Sequence, residues 1–503
     1  MSMIDSIDPT TGAIVESVAE VTTNAEVDAL ASKAAAAAPV FAALGREFRA
    51  RLLRAIADEL ESIRTDIVAV GTRETALPEA RLNGELTRTV YQARLFAEVV
   101  DDGGYLEATI DHAGDTPMGP GPDLRRLLVP LGPVAVFGAS NFPLAFSVPG
   151  GDTVSALAAG CPVIVKAHSS HPALSKLTFD TMTRAARTVD APDGLLGIVF
   201  GTSSGARLVA NPAIAAVGFT GSLGGGKALL DIIAGRPGPI PFYGELSSLN
   251  PLVVTPGAAA ARGADIAAGV VASVTGSGGQ LCTKPGLVLV PLGSEGDALV
   301  SAAAELVEQA PAATLLNQRI STSYDQISTS LKQTEEVTVI AEGGKPVGDG
   351  FSVTPRLLQV DATSLHGGEV EECFGPTAII ARYDLDSLDQ AIAALPASLT
   401  STIHAEDDET ELVQRLSASL LPKSGRLLFN GYPTGVLVSW AQQHGGPWPS
   451  TNTLHTSVGT TSIRRWLRPV TWQSAPTAVL PEELQDDYLS IPRRVDGRLQ
   501  LGQ

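Results

Sequence analysis

Hydrophobic positions are spaced differently in different parts of the chain, and the spacing predicts its secondary structure. From residue 23 to about residue 100 they recur every three or four positions, which predicts amphipathic helices. Thr23 and Glu26 have the spacing of a capping box and open an alanine-rich helix that ends near Leu44. A third helix is predicted from about Leu82 to Val100. The second helix has one apolar face, which is formed by Leu53, Ile56, Leu60, Ile63, Ile67 and Val70.

Short apolar runs replace this pattern after the loop at 114–122. They predict buried parallel strands at 134–137, 163–165, 197–200 and 215–217. Helical patterns lie between the strands, at 153–159 and 205–210. This βαβ alternation predicts a sheet that is covered on both faces and binds ligands beyond the carboxyl ends of its strands.

The same alternation returns after Asn250. Strands are predicted at 252–254 and 287–290, and a helix is predicted near 264–274. A chain of 503 residues exceeds what one hydrophobic core usually supports. The pattern therefore predicts a second α/β domain.

Composition narrows the classes of partner. The chain has 35 basic and 54 acidic residues, a net charge of −19, which repels nucleic acid and anionic membranes. No window of about 20 residues is apolar enough to span a bilayer, and a signal-peptide pattern is absent from the first residues. Three cysteines, Cys161, Cys282 and Cys373, are too few for a disulfide framework and too far apart for a CxxC metal site. We expect a cytoplasmic protein without nucleic-acid, membrane or metal partners.

The candidate chemistry centres on a cysteine and an acid. Cys282 lies in the small-residue segment GQLCT, and Glu245 lies upstream in GELS. A thiolate attacks a carbonyl readily, and a carboxylate can activate water against the resulting thioester. The alternative is that Cys282 is one more buried, inert cysteine.

Three segments that follow predicted strands could bind phosphate or an oxyanion. The run from Gly221 to Ala228 nearly matches a phosphate loop, but Ala228 replaces the hydroxyl residue that would hold Mg²⁺. Its small residues could still expose N–H groups to a pyrophosphate, or form only a tight turn. Lys166 could hold a ribose or phosphate, or be a solvated lysine, and Asn141 could donate to an oxyanion or satisfy a turn.

Seven segments, in this order, resemble the aldehyde dehydrogenase superfamily: GASNFP (138–143), VIVKAHSS (163–170), GFTGS (218–222), GELSSLNP (244–251), GQLCT (279–283), EECFGP (371–376) and FNGYPTGV (429–436). The resemblance implies an α/β fold with a Rossmann-like cofactor domain over 1–112 and 130–247, and a catalytic domain over 248–459. It also implies a small β oligomerisation domain from 113–129 and 460–503, and hence a homo-oligomer, either a dimer or a tetramer. The implied activity is NAD(P)⁺-dependent oxidation of a small-molecule aldehyde to a carboxylic acid.

The resemblance implies a role for each matching residue. Cys282 attacks the aldehyde, and the Asn141 side chain and the Cys282 backbone N–H hold the oxyanion. Glu245 activates the water that hydrolyses the thioester. Because a carboxylate beside a thiolate raises both pKa values, Glu245 is expected to swing away or to act through water. The residues expected to contact the cofactor are Lys166, Ser169, Gly221, Ser222, Glu372 and Phe374.

Ser169 bears on the choice between NADP⁺ and NAD⁺. Many NAD-preferring members carry a glutamate three residues after the lysine that matches Lys166, where this chain has Ser169. Without a carboxylate to repel a 2′-phosphate, NADP⁺ is permitted as well as NAD⁺.

Longer matches over 132–172, 430–451 and 457–469 resemble the 2,5-dioxopentanoate (α-ketoglutarate semialdehyde) dehydrogenases. That branch implies that His444 lies near the nucleophile and tunes it, although a structural hydrogen bond is an alternative. A substrate carboxylate needs a cation, for which Arg88 is the first candidate and Arg94 the second, and Phe142 is expected to contact the substrate.

Three other functions remain open from the sequence. NADP-dependent fatty aldehyde dehydrogenases share part of the branch pattern. A cysteine hydrolase would pair Cys282 with His444, and a P-loop NTPase would use Gly221 to Lys227.

Overall fold

Helical and strand-forming segments alternate in the structure, a computed structural model that describes residues 2–334, 336–365 and 372–502. Its α-helices are α1 (Asn24–Ala43), α2 (Gly45–Ser62), α3 (Arg64–Thr75), α4 (Glu79–Asp102), α5 (Gly151–Ala159), α6 (Pro172–Thr188), α7 (Thr202–Ala210), α8 (Leu223–Ala234), α9 (Pro256–Thr275), α10 (Ser294–Gln309), α11 (Gln318–Gln333), α12 (Leu388–Ala394) and α13 (Thr410–Leu420).

Its β-strands are β1 (Met3–Ile7), β2 (Ile14–Glu20), β3 (Thr109–Asp111), β4 (Gly114–Thr116), β5 (Gly119–Gly121), β6 (Leu124–Pro130), β7 (Val134–Phe137), β8 (Val163–Lys166), β9 (Leu196–Val199), β10 (Ala216–Thr220), β11 (Phe242–Glu245), β12 (Leu252–Val254), β13 (Leu287–Pro291), β14 (Ala313–Thr314), β15 (Thr338–Glu342), β16 (Ser352–Val353), β17 (Arg356–Asp361), β18 (Thr377–Tyr383), β19 (Ser398–His404), β20 (Ser424–Phe429), β21 (Leu467–Gln473), β22 (Arg493–Val495) and β23 (Arg498–Gln500).

The amino-terminal helices agree with the sequence pattern except at one point. The predicted capping box of α1 is confirmed, since the Glu26 N–H donates to Thr23 Oγ1 at 3.3 Å and the Thr23 N–H donates to the Glu26 carboxylate at 2.7 Å. The prediction of one helix through 53–70 is wrong. Ile63, with φ −114° and ψ 28°, separates α2 from α3. The apolar spacing continues across the break, so the pattern alone does not reveal it.

The first large sheet is parallel throughout and has the order β11-β10-β7-β8-β9. All four strands predicted in this region are present, with ends shifted by at most a few residues. Along β7, Val134 and Val136 pack into one hydrophobic core and Ala135 and Phe137 into another. The sheet is therefore covered on both faces, as predicted.

The second large sheet has the order β15-β17-β18-β13-β12-β19-β20, and β15 is its antiparallel edge strand. It contains the two strands predicted after Asn250, and the predicted helix is α9, which begins at Pro256 rather than near residue 264. Cys282 lies between α9 and β13.

A third sheet joins distant segments in the order β21-β6-β3-β22-β23. It begins at Thr109, a few residues before the predicted boundary at 113. Its role in assembly stays a prediction, which the molar mass of the protein in solution would test.

Among the described residues, no single helix has the length and hydropathy to cross a bilayer. The bent pair α1 and α2 meets the criterion only when the two helices are taken together. Both helices bury apolar residues inside the fold.

Candidate active site

Four parallel strands of the first sheet bring predicted site residues to one edge. Asn141 follows β7, Lys166 ends β8, Ser222 follows β10 and Glu245 ends β11. Carboxyl ends of parallel strands lie on the same side of a sheet, which is the usual ligand side of α/β folds. The topology thus explains how residues a hundred positions apart share one site.

A tight turn presents the predicted nucleophile. A short 3₁₀ turn at Gly276–Gly279 leads into Cys282. Gly279 has φ +68°, and a Cβ at this position would lie 2.2 Å from the carbonyl oxygen of Gly375. Only glycine therefore allows the GQLCT segment to pack against the ECFGP segment. Gln280 anchors the turn, because its Oε1 accepts the Leu316 N–H at 2.9 Å.

Cys282, Glu245 and His444 come together in a largely buried group, called the reactive cluster below. Cys282 Sγ lies 3.6 Å from His444 Nε2, and that nitrogen lies 3.0 Å from Glu245 Oε1. Glu245 and His444 are 3% and 1% exposed. Ser457 Oγ donates to the other carboxylate oxygen, Glu245 Oε2, at 2.7 Å. Sequence reasoning missed Ser457. It lies in an irregular loop, and the motif that includes it gave no indication of its role.

Both neighbours of His444 contact the same ring nitrogen. Nδ1 is buried and has no hydrogen-bond partner among the described residues. A hydrogen on Nε2, facing the Glu245 carboxylate, satisfies these contacts best. In a Cys–His–acid relay the acid contacts one ring nitrogen and the cysteine the other. The arrangement of Cys282, His444 and Glu245 is therefore not that of a cysteine hydrolase.

The cluster holds the proton on Cys282 and removes it from Glu245. Burial raises the pKa of the Cys282 thiol well above its ordinary value, and the Glu245 charge raises it further. Burial alone raises the pKa of Glu245, but His444, Ser457 and Cys282 outweigh it, so the net pKa is lowered. The expectation that proximity raises both pKa values is thus met only for Cys282, because Glu245 has other hydrogen-bond donors.

Asn141 is anchored to the nucleophile turn. Its Nδ2 donates to the carbonyl oxygen of Gln280 at 2.8 Å, and an amide carries a second N–H that can serve an oxyanion. Helix α4 fixes this loop from the other side. Glu85 Oε1 accepts the backbone N–H groups of Leu144 and Ala145 at 2.8 and 2.9 Å, and Arg81 Nη2 donates to the Asn141 carbonyl oxygen at 2.8 Å.

The two arginine candidates differ in their surroundings. Arg88 stacks on Phe146 with its guanidinium carbon 5.0 Å from the ring centre, and its buried Nη1 has no hydrogen-bond partner in the described chain. Burial lowers the pKa of Arg88, whereas Glu85, Cys282 and Glu245 raise it. Arg94 is half-exposed and pairs with Asp58 at 2.8 Å, so it does not join the site.

Aromatic rings connect the predicted substrate residue Phe142 to the cluster. The ring centres of Phe142 and Phe146 are 5.4 Å apart, and that of Phe146 lies 6.3 Å from the His444 ring. Beside Glu245 and His444 lies a cavity of about 10 Å³, enough for a single water molecule. The larger cavity of about 350 Å³ on α9 and α10 contains none of the predicted site residues.

Arg426 on β20 is a further cation that sequence reasoning missed. Its Nη1 and Nη2 donate to the carbonyl oxygens of Gly435 and Pro433, both at 2.9 Å. Its Nε is buried without a partner among the described residues. Burial lowers the pKa of Arg426 and the charge on Cys282 raises it.

The residues predicted to bind the cofactor fit a dinucleotide. Ser222 caps α8 by accepting the Gly225 N–H at 3.2 Å, and the open surface at Gly224 leaves the first turn accessible to a pyrophosphate. Gly221 is held against the Phe219 ring, where a Cβ would lie 2.7 Å from it. Lys166 reaches the same edge of the sheet, and burial lowers its pKa to about 8.

The other predicted cofactor residues differ in their exposure and contacts. Ser169 is exposed and Phe374 is partly buried. Glu372 Oε2 accepts the Ser248 N–H at 3.0 Å, and burial raises the pKa of Glu372 to about 7. Glu371, which begins the EECFGP segment, lies outside the described residues.

The near-match to a phosphate loop does not form one. Helix α8 begins at Leu223, so Lys227 lies on its second turn and is exposed. A P-loop lysine stands instead at the amino-terminal end of the helix, where it reaches the phosphates. This geometry speaks against an NTPase.

Comparison with known proteins agrees with this site. The sequence profile described as "Aldehyde dehydrogenase family" matches residues 1–469. The chain belongs to this family. It is 45% identical over 503 residues to "Alpha-ketoglutaric semialdehyde dehydrogenase 2" of Azospirillum brasilense, covering 98% of this chain and 95% of that relative. It is 42% identical to "Alpha-ketoglutaric semialdehyde dehydrogenase" of Acinetobacter baylyi, covering 94% and 91% of the two chains.

Solved structures agree on the fold. Aldehyde dehydrogenase C of Pseudomonas syringae, crystallised as a variant with NAD⁺ and octanal, matches with a TM-score of 0.81 at 20% identity and 95% coverage of both chains. A variant of Thermus thermophilus 1-pyrroline-5-carboxylate dehydrogenase matches with a TM-score of 0.81 at 20% identity, covering 94% of this chain and 90% of that chain. The aldehyde dehydrogenase fold is confirmed, and the chain is an NAD(P)-dependent aldehyde dehydrogenase.

Proposed function

We propose that this aldehyde dehydrogenase oxidises 2,5-dioxopentanoate to 2-oxoglutarate and prefers NADP⁺. The observation that carries the substrate is Arg88, a partly buried side chain beside the reactive cluster whose buried Nη1 has no hydrogen-bond partner among the described residues. A buried N–H without an acceptor is costly, and a substrate carboxylate would accept its hydrogen bond. The names of the two semialdehyde dehydrogenase relatives support the same substrate.

The residues of the site divide the reaction into two halves. Cys282 loses its thiol proton to solvent and attacks the aldehyde carbon as the thiolate, while the second N–H of Asn141 and the Cys282 backbone N–H stabilise the oxyanion. When bound, NAD(P)⁺ supplies the hydride acceptor that leaves a thioester on Cys282. Glu245 then takes a proton from the attacking water, and the acid leaves as the Cys282 thiol is restored. Lys166, Gly221, Ser222, Glu372 and Phe374 would hold the cofactor.

The preference for NADP⁺ is supported by the charges around Ser169. Serine at this position carries no carboxylate to repel a 2′-phosphate. Burial holds the pKa of the adjacent His168 well below its ordinary value, and His171, Lys166 and Arg319 lower it further. Burial itself favours no charge of either sign, but the positive charges of Lys166 and Arg319 would attract a 2′-phosphate.

Initial rates of cofactor reduction test the proposal. We would compare 2,5-dioxopentanoate, succinate semialdehyde and a long-chain aldehyde, each with NAD⁺ and NADP⁺. We expect kcat/KM to be highest for 2,5-dioxopentanoate with NADP⁺. A preference for the long-chain aldehyde would contradict the substrate proposal and favour a fatty aldehyde dehydrogenase, which the Phe142–Phe146 lining would also suit.

Replacing Arg88 should separate charge recognition from the chemical step. We expect Arg88→Gln to lower kcat/KM for 2,5-dioxopentanoate by about 10- to 100-fold, because a charge-assisted hydrogen bond is lost. The rate with hexanal, which has no carboxylate, should change little. Arg94→Gln is the matched control, since Arg94 lies on the same helix but pairs with Asp58 at the surface. Equal losses with both aldehydes would contradict carboxylate binding by Arg88.

The cofactor affinity should depend on pH through Lys166. Its lowered pKa of about 8 means that the ammonium charge is present below that pH and is lost above it. We expect KM for NADP⁺ to rise several-fold as the pH increases from about 7 to about 9.5, and KM for NAD⁺ to rise less. Lys166→Arg keeps its charge over this range and should flatten the profile. A flat profile in the unmodified protein would contradict the assignment.

A further inference from the structure

The reactive cluster brings together three atoms that can each bind a metal ion: a sulfur, a nitrogen and an oxygen. Cys282 Sγ, His444 Nε2 and Glu245 Oε1 belong to residues whose ligand atoms all lie within 4.8 Å of one another. The chain segments that carry them are otherwise unrelated: the turn before β13, the loop after β20 and the end of β11. Thiolate, imidazole and carboxylate together form a donor set that Zn²⁺ uses in proteins.

The spacing of these donors matches a tetrahedral ion. At the tetrahedral angle, bonds of about 2.3 Å to sulfur and about 2.05 Å to nitrogen separate the two donors by about 3.6 Å. The observed distance between Cys282 Sγ and His444 Nε2 is 3.6 Å. The expected separation of nitrogen and oxygen is about 3.3 Å, against 3.0 Å between His444 Nε2 and Glu245 Oε1. A small rotation of the Glu245 carboxylate closes this difference.

We propose that Cys282, His444 and Glu245 bind a thiophilic divalent cation of the Zn²⁺ class, and that the bound cation inhibits the enzyme. Binding releases the thiol proton of Cys282 to solvent and moves the imidazole proton from Nε2 to Nδ1. The cation then occupies the place of the His444 Nε2–H, which faces both Glu245 and Cys282. A water molecule completes its four ligands. This inference rests on the reactive cluster and not on the identity of the aldehyde.

Inhibition follows because the cation uses the groups that catalysis needs. The sulfur lone pair that attacks the aldehyde is engaged with the metal, and Glu245 can no longer take a proton from water. Mg²⁺ and Ca²⁺ should not bind, because they need at least six mostly oxygen ligands. His444 Nδ1, buried without an acceptor among the described residues, limits the affinity and keeps the inhibition reversible by chelators.

Co²⁺ titration of the purified full-length protein tests the site without relying on activity. We expect one equivalent of Co²⁺ to produce a thiolate-to-metal absorption band in the near ultraviolet and visible bands typical of four-coordination. Cys282→Ala should lose the thiolate band, and His444→Gln should weaken binding by at least about tenfold. His455→Gln is the matched control, because His455 lies in the same loop and its ring packs against Tyr243.

Alkylation of the unmodified protein gives an independent measurement. Zn²⁺ should protect Cys282 from iodoacetamide, as read by mass spectrometry of its peptide, and should inhibit aldehyde oxidation until a chelator is added. Co²⁺ binding in His444→Gln that equals binding in the unmodified protein would overturn the site. Unchanged alkylation of Cys282 at saturating Zn²⁺ would overturn it as well, whichever aldehyde proves to be the substrate.

Discussion

Cys282→Ala should lower the rate of aldehyde oxidation by at least about 10⁴-fold, because the variant has no nucleophile to form the thiohemiacetal. Removing a group from a site whose parts act as a unit costs nearly the whole catalytic effect. The measurement is steady-state reduction of NAD(P)⁺ at saturating aldehyde. Cofactor binding, followed by fluorescence, should be retained, since Lys166 and Ser222 are untouched.

A second cysteine provides the control for this prediction. Cys161 is fully buried in the core against α5, and its thiol donates to the Trp466 carbonyl oxygen at 3.5 Å. Cys161→Ala removes the same atom at a place remote from the reactive cluster. It should reduce stability by roughly 1 kcal/mol and leave the rate nearly unchanged. A Cys282→Ala protein that still oxidises aldehydes would refute the assignment of the nucleophile.

Glu245→Gln should produce a burst of NAD(P)H that matches the number of active sites, followed by a slow steady state. The amide of the variant cannot take a proton from water, so the thioester on Cys282 accumulates, and the steady-state rate should fall by about 10²- to 10⁴-fold. Rapid mixing measures the burst, and mass spectrometry detects the acylated cysteine. Ser457→Ala keeps the carboxylate but removes its 2.7 Å hydrogen bond, and should have a much smaller effect.

The same variant should also change the reactivity of the free enzyme. Burial is the first cause of the raised pKa of Cys282, and the Glu245 charge is the next. Removing that charge lowers the pKa of the thiol, so the thiolate forms at lower pH. The pH profile of iodoacetamide alkylation should therefore shift toward acid in Glu245→Gln. If Glu245 acted only on water and did not touch the thiol electrostatically, the profile would not move.

Periodic apolar patterns were sufficient to predict most of the elements that build the site. The run Val134 to Phe137 is apolar at every position because both faces of β7 are buried, and that is readable from four residues. The break at Ile63 was not readable, since a helix can end and restart without disturbing the spacing of its apolar face. A local apolar pattern shows which positions are buried. It shows where a helix ends only if a capping residue or a glycine lies at that point.

Motif order identified Cys282, Glu245 and Asn141, and the structure brings them into one cluster with His444. Ser457 and Arg426 were invisible in the sequence, because an isolated serine or arginine in an irregular segment resembles many solvated ones.

The sequence alone was enough to predict the α/β class, which depends on local apolar patterns, and the family, which depends on seven short motifs in a fixed order along the chain. It also singled out Cys282 as the candidate nucleophile. The tertiary structure was needed to show that one nitrogen of His444 faces both Cys282 and Glu245. It was also needed to show that Arg88 has a buried Nη1 without a partner in the described chain, while Arg94 is exposed. Those facts depend on where strand ends and distant loops meet in space. Contacts between residues more than a hundred positions apart do not affect the periodicity of apolar residues, so the sequence pattern cannot show them.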